Sequence, residues 1–115
     1  MVQLNWARAQ GGAWCDLQRV DLGSVDTTGV FVVWHGGSRP RTLRLGYGPI
    51  AERVSALKED PTLLRYRTAG PLYVTWAALP QDMTDGVVRF LAGRMTPLYE
   101  DRVRAAPAIP ANLPG

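Results

Sequence analysis

The side chains with reactive potential are few and widely spaced. Cys15 is the only cysteine and His35 the only histidine in a chain of 115 residues. A lone cysteine excludes an intrachain disulfide and a cysteine zinc site. A nucleophilic thiol needs a base beside it, and nothing in the spacing of Cys15 and His35 supplies that pairing, so both read as structural. The more abundant chemistry is cationic. Of 13 basic residues all but Lys58 are arginines, set against 10 acidic ones, for a net charge of +3. Genome composition alone can produce such an arginine bias. An isoelectric point near 9.5 permits an acidic partner such as nucleic acid without demanding one. The third group is aromatic: Trp6, Trp14, Trp34 and Trp76.

These residues have to be positioned by an ordinary globular chain, 46% hydrophobic and 20% charged, which argues against wholesale disorder. The length suits one domain. The longest uninterrupted apolar run, Val30 to Trp34, is far short of the roughly 20 residues a membrane span needs. Met1 to Gly12 carries no basic start followed by an apolar stretch, so no secretory signal is read there. With a single cysteine, the expected location is the cytoplasm.

The strongest strand pattern runs from Gly29 to His35, β-branched and aromatic, and is closed by the Gly36-to-Pro40 turn cluster. Arg41 to Gly46 alternates Leu43 and Leu45 with Thr42 and Arg44 and completes an antiparallel hairpin. Trp14 to Asp21 reads as a weaker strand. Pro49 suits the first turn of a helix in which Ile50, Val54 and Leu57 recur at helical spacing, and Asp60-Pro61 ends it. Leu63 and Leu64 begin a stretch of ambiguous type. Leu72 to Ala78 makes a third strand, stopped by Pro80. A second helix, capped by Asp82 or Thr84, carries an apolar stripe of Val87, Val88, Phe90, Leu91 and Met95. Thr96-Pro97 terminates it. Ala105 to Gly115, with three prolines, is extended. No repeat is visible. The predicted class is α+β, with a small mixed or antiparallel three-stranded sheet flanked by helices.

The order of these elements and the residues on them resemble the GIY-YIG nuclease domain. Gly29-Val30-Phe31 stands where that family has its first strand motif, and Arg44-Leu45-Gly46 where it has the second. Pro49 to Val54 matches the helix that bears an inward arginine, here Arg53. Val74 to Ala77 and Gly86 to Arg94 match the third strand and second helix, and Pro97 falls where the family has a proline after that helix. The resemblance covers residues 29–102. It leaves residues 1–28 as an N-terminal extension with room for one added strand, and residues 103–115 as a Pro-rich tail.

The chemistry that the resemblance implies is absent at those positions. The first tyrosine is Phe31, which has no hydroxyl. The second is Arg44, a permanent cation. The metal-binding glutamate is Val88, which offers magnesium no oxygen. The polar residue expected beyond the proline falls near Glu100, and only Arg53 survives. A rebuilt site would draw on Asp85, one turn before Val88, on Tyr47, and on His35, which shares strand parity with Phe31. The competing reading makes Asp85 a helix cap, Tyr47 a loop residue and His35 an ordinary hairpin residue.

The resemblance also draws Arg44 and Arg53 to one cleft, with Arg39 and Arg41 at the hairpin edge. Four guanidiniums there are suited to phosphates, unless Asp or Glu residues pair with them. Trp6, Trp14 and the tail are the alternative contacts, toward a protein partner, unless they complete the domain's own core. The expectation is a catalytically inactive GIY-YIG-like interaction module that binds a protein or nucleic acid. It carries no metal or cofactor. The alternative is an active, Mg²⁺-dependent endonuclease with a relocated site.

Overall fold

A computed structural model describes every residue from Met1 to Gly115. Its five strands are β1 (Cys15–Asp16), β2 (Thr28–His35), β3 (Arg41–Pro49), β4 (Leu72–Ala78) and β5 (Tyr99–Glu100). The three α-helices are α1 (Ile50–Leu57), α2 (Pro61–Leu64) and α3 (Gln81–Met95). The strands form one mixed sheet in the order β1-β4-β2-β3-β5. All pairings are antiparallel except β3 with β5. The predicted α+β class is what the chain adopts, with five strands in place of three. No helix is long and apolar enough to cross a membrane.

Helices cover both faces of the sheet, and this explains the apolar run in β2. Val30 to Val33 are all fully buried, because a central strand clothed on two sides has no polar face to alternate with. Parity divides them. Phe31 and Val33 join Leu43, Ile50, Val54 and Leu63 in a layer beneath α1 and α2. Val30 and Val32 join Leu45, Val87, Val88 and Leu91 in a layer beneath α3. A bulge between Val33 and Trp34 shifts the register, so Val33 lies opposite Arg44 and Trp34 opposite Thr42, leaving Leu43 as the extra residue.

Three local expectations are corrected. Asp60-Pro61 does not simply end a helix: the Asp60 carboxylate accepts from the Thr62 N–H at 2.9 Å, and Pro61 opens α2, the arrangement that favours a helix start. The ambiguous stretch is therefore helical, continuing as a 3₁₀ turn over Arg65–Thr68. Neither Asp82 nor Thr84 caps α3. Pro80 takes that position without a side-chain bond, and the Thr84 hydroxyl donates back to the Pro80 carbonyl at 3.3 Å.

The two ends of the chain close on each other. Val2 bridges Ala111. The Asn112 side chain accepts from the Leu4 N–H at 2.5 Å and donates to the Leu4 carbonyl at 2.9 Å, while the Trp6 indole N–H donates to the Asn112 carbonyl at 3.0 Å. The tail crosses α3 at Gly86, where the Ile109 N–H donates to the Gly86 carbonyl at 2.9 Å. A Cβ on Gly86 would stand 2.5 Å from Ile109 and 2.7 Å from the Pro107 carbonyl oxygen, so a hydrogen at this point lets the tail lie flat.

Candidate functional site

The site begins with strand parity. Phe31 pairs with Gly46 and Val33 with Arg44, so Gly46 and Arg44 present to the α1 side, the same side as Phe31 and Val33. A Cβ at Gly46 would collide with the Phe31 ring and with the Asp101 carboxylate. Its absence leaves the hollow that Asp101 fills. From above, α1 lowers Arg53, whose guanidinium carbon lies 5.4 Å from the centre of the Phe31 ring.

Asp101 gathers three donors. Arg44 forms an ion pair and hydrogen bond with its carboxylate. Arg53 pairs with it at 3.0 Å and also donates to the Tyr47 carbonyl at 2.7 Å. The backbone N–H of Tyr47 donates to it at 3.2 Å. The Asp101 N–H in turn donates to the Leu45 carbonyl at 2.9 Å, extending the β3–β5 ladder. The Asp101 side chain is 11% exposed, Arg44 23% and Arg53 35%. Two cations share one carboxylate, so Asp101 itself fills the oxyanion position between them and one unit of positive charge is left over.

The surface continues beyond this triad. Tyr99 on β5 lies beside Arg44 on β3, and Arg65 reaches the hydroxyls of both Tyr99 and Tyr66, each at 3.5 Å. Arg65 also stands 5.2 Å over the Tyr66 ring. Tyr66 stacks on His35, with 6.4 Å between centroids and 3° between planes. His35 is cross-strand from Arg41, and its Nδ1 is buried without a partner. A run of guanidinium and aromatic groups therefore leads from Arg53 and Arg44 through Tyr99 and Arg65 to Tyr66.

Of the sequence-derived positions, Phe31, Arg44 and Arg53 come together. Val88 does not: it lies on α3, buried against the opposite face of the sheet, because α3 packs on the Val30 and Val32 side of β2. The four-arginine cleft is also corrected. Arg44 and Arg53 converge, but on Asp101; Arg41 lines a separate pocket with Trp14, Trp34 and Met95, while Arg39 stays exposed in the hairpin loop. Glu100, taken as the polar residue after Pro97, points to solvent on β5, and its neighbour Asp101 turns inward.

The rebuilt constellation is divided as well. Asp85 and Tyr47 line a cavity of about 980 Å³ at the start of α3, together with Asp82, Arg102 and Arg104. Gly29 lies at that end of β2, while His35 lies at the other, roughly 20 Å away at the rise of an extended strand. Arg53 touches the Tyr47 backbone but is tied to Asp101. No three His, Cys, Asp or Glu side chains gather in a metal-binding group. Burial raises the Cys15 thiol above its ordinary pKa, which keeps it protonated and unreactive at neutral pH.

The aromatic N-terminus and the tail belong to the fold. Trp6 and residues 109–112 are held by the bonds described above. Trp14 meets Trp34 edge-on at 5.3 Å and is covered by the Arg8 guanidinium at 3.7 Å. Trp6 and residues 109–112 thus make their hydrogen bonds within the chain, while Leu113 stays exposed.

Comparisons with protein-family models, with curated proteins and with solved structures find no match. The residues that sequence reasoning missed are Asp101, Arg65, Tyr66 and Tyr99. Tyr99 and Asp101 stand beside Glu100, the residue that the resemblance did single out, and strand parity separates Asp101 from it. Arg65 and Tyr66 lie in the helical turn that carried no clear pattern.

Proposed function

We propose that this chain is a non-cleaving, GIY-YIG-like binding module whose ligand is nucleic acid, held on the face formed by Arg44, Arg53 and Arg65. One observation carries the reading: Arg44 and Arg53, brought from β3 and α1, share the single carboxylate of Asp101, so their forked donors call for an anion and one positive charge is left over. A phosphodiester makes the same demand for forked, charge-assisted donors. The reading of a module without cleavage is supported by side-chain chemistry. Phe31 has no proton to exchange, and Val88 presents only methyl groups, buried in the other layer. The protein-partner reading loses support because Trp6 and the tail make their hydrogen bonds within the chain.

The test has two arms. Plasmid and oligonucleotide substrates incubated with Mg²⁺ or Mn²⁺ should remain intact; cleavage that Arg53→Ala abolishes would overturn the reading. Labelled oligonucleotides should bind at low salt. About three phosphate contacts give a salt slope near −2 on a single strand, so a fourfold rise in salt should weaken binding about 20-fold. An absence of binding at low salt would end the nucleic-acid reading.

A further inference from the structure

We infer that the nucleic acid this face takes is unpaired, with a base stacked at the Tyr66–Tyr99 station between the phosphate-gripping arginines. The inference rests on the nucleic-acid reading above and adds the class of strand. A surface that grips phosphate alone needs only cations. This one sets two phenol rings among them. Tyr99 is 37% exposed on a two-residue edge strand. Tyr66 is half-exposed, and its ring is backed by the parallel imidazole of the buried His35, so the platform is held flat before any ligand arrives. Arg65 lies over Tyr66 and reaches Tyr99 by long bonds of 3.5 Å. A planar cation there occupies the place of a stacked base and is displaced at small loss, being exposed to water.

Geometry then separates the two forms of nucleic acid. In a duplex the base faces are stacked on one another, so exposed rings on a protein surface meet only sugar and phosphate. An unpaired strand splays its bases and lets an aromatic ring stack on one while neighbouring arginines hold the backbone. Tyr99 stands directly beside Arg44 in the β3–β5 ladder, so a stacked base and a gripped phosphate fall within one nucleotide of each other. Stacking is tolerant of base identity. The preference is therefore for strandedness, not sequence.

Fluorescence anisotropy with three probes of equal length decides it: an oligo-dT of about 12 nucleotides, within the range a small domain covers, the corresponding duplex, and an abasic oligomer with the same backbone. The oligo-dT should bind about tenfold or more tighter than either of the others. Tyr99→Leu, at an exposed position that the fold does not require, should remove most of that advantage, a loss of about 5- to 150-fold for one stacked base. It should leave duplex and abasic binding within about twofold. Tyr66→Leu should act in the same direction. Equal affinity for all three probes, with equal salt slopes, would overturn the unpaired-strand inference and leave the phosphate reading standing. A failure of every probe to bind at low salt would overturn both.

Discussion

Asp101→Asn separates a phosphate-binding cluster from a merely structural ion-pair network, because only the first assigns it a gain in affinity. The substitution keeps the shape of the side chain and removes its charge, which raises the net charge from +3 to +4 (13 basic against 9 acidic). Arg44 and Arg53 then lose the carboxylate they share. The stability term is unfavourable. Removing one partner of a fully buried pair costs about 3–5 kcal/mol. Here the arginine side chains are 23% and 35% exposed, so water screens much of the loss and about 1–2 kcal/mol is expected. For a domain of this size that lowers the melting temperature by roughly 4–10 °C. The binding term is favourable. Two partly screened guanidiniums released to an incoming phosphate add about 1–2 kcal/mol, a gain of about 5- to 30-fold. The single-strand salt slope steepens by about 0.7 for each additional phosphate contact. Thermal unfolding followed by circular dichroism reads the first term, and anisotropy over a salt series reads the second. A variant that melts earlier yet binds tighter fits an oxyanion cradle. A variant that melts earlier and binds equally or more weakly, with an unchanged slope, would refute the argument that Asp101 occupies a phosphate position.

The fold makes further demands that are simpler to check. Gly86→Ala places a methyl group against Ile109 and the Pro107 carbonyl, which should destabilise by about 1–3 kcal/mol. Limited proteolysis should show faster clipping within residues 105–115. Asn112→Ala removes both bonds to the Leu4 backbone and leaves a sheltered N–H and carbonyl unmatched, a loss of about 2–3 kcal/mol; hydrogen exchange at the Leu4 amide should accelerate well before global unfolding. Cys15, with its thiol pKa raised by burial, should react slowly with iodoacetamide at neutral pH and rapidly once the chain is unfolded in denaturant. Because the folded pKa is raised, thiolate appears in the native protein only at higher pH than in the unfolded chain, so the rate difference should narrow as pH rises above the ordinary thiol range.

The parts legible in the sequence were those that bury a periodic apolar face. β2, β3 and β4 announced themselves by β-branched and aromatic runs between turn residues, and α1 and α3 by apolar residues at helical spacing. The parts that were not legible have no face of their own. β1 and β5 are two residues each, strands only because β4 and β3 offer them an open edge. α2 was hidden because an Asp-Pro pair that stops one helix also starts the next. Arg44 and Arg53 were found, yet Asp101 was missed, since the room for its carboxylate comes from the missing Cβ at Gly46, far away in the chain.

The sequence by itself determined the α+β class, the absence of oxygen and hydroxyl groups at Val88 and Phe31, and the excess of arginine. These follow from residue identity and local period, which need no knowledge of neighbours. Only the tertiary structure decided which charges meet. Parity on β2 sends Phe31 toward α1 and Val30 toward α3, and this single alternation carries Val88 away from the arginines while bringing Asp101 to them. It likewise decided that the tail closes on residues 2–6, because the partner of the Leu4 backbone is an asparagine 108 positions along the chain.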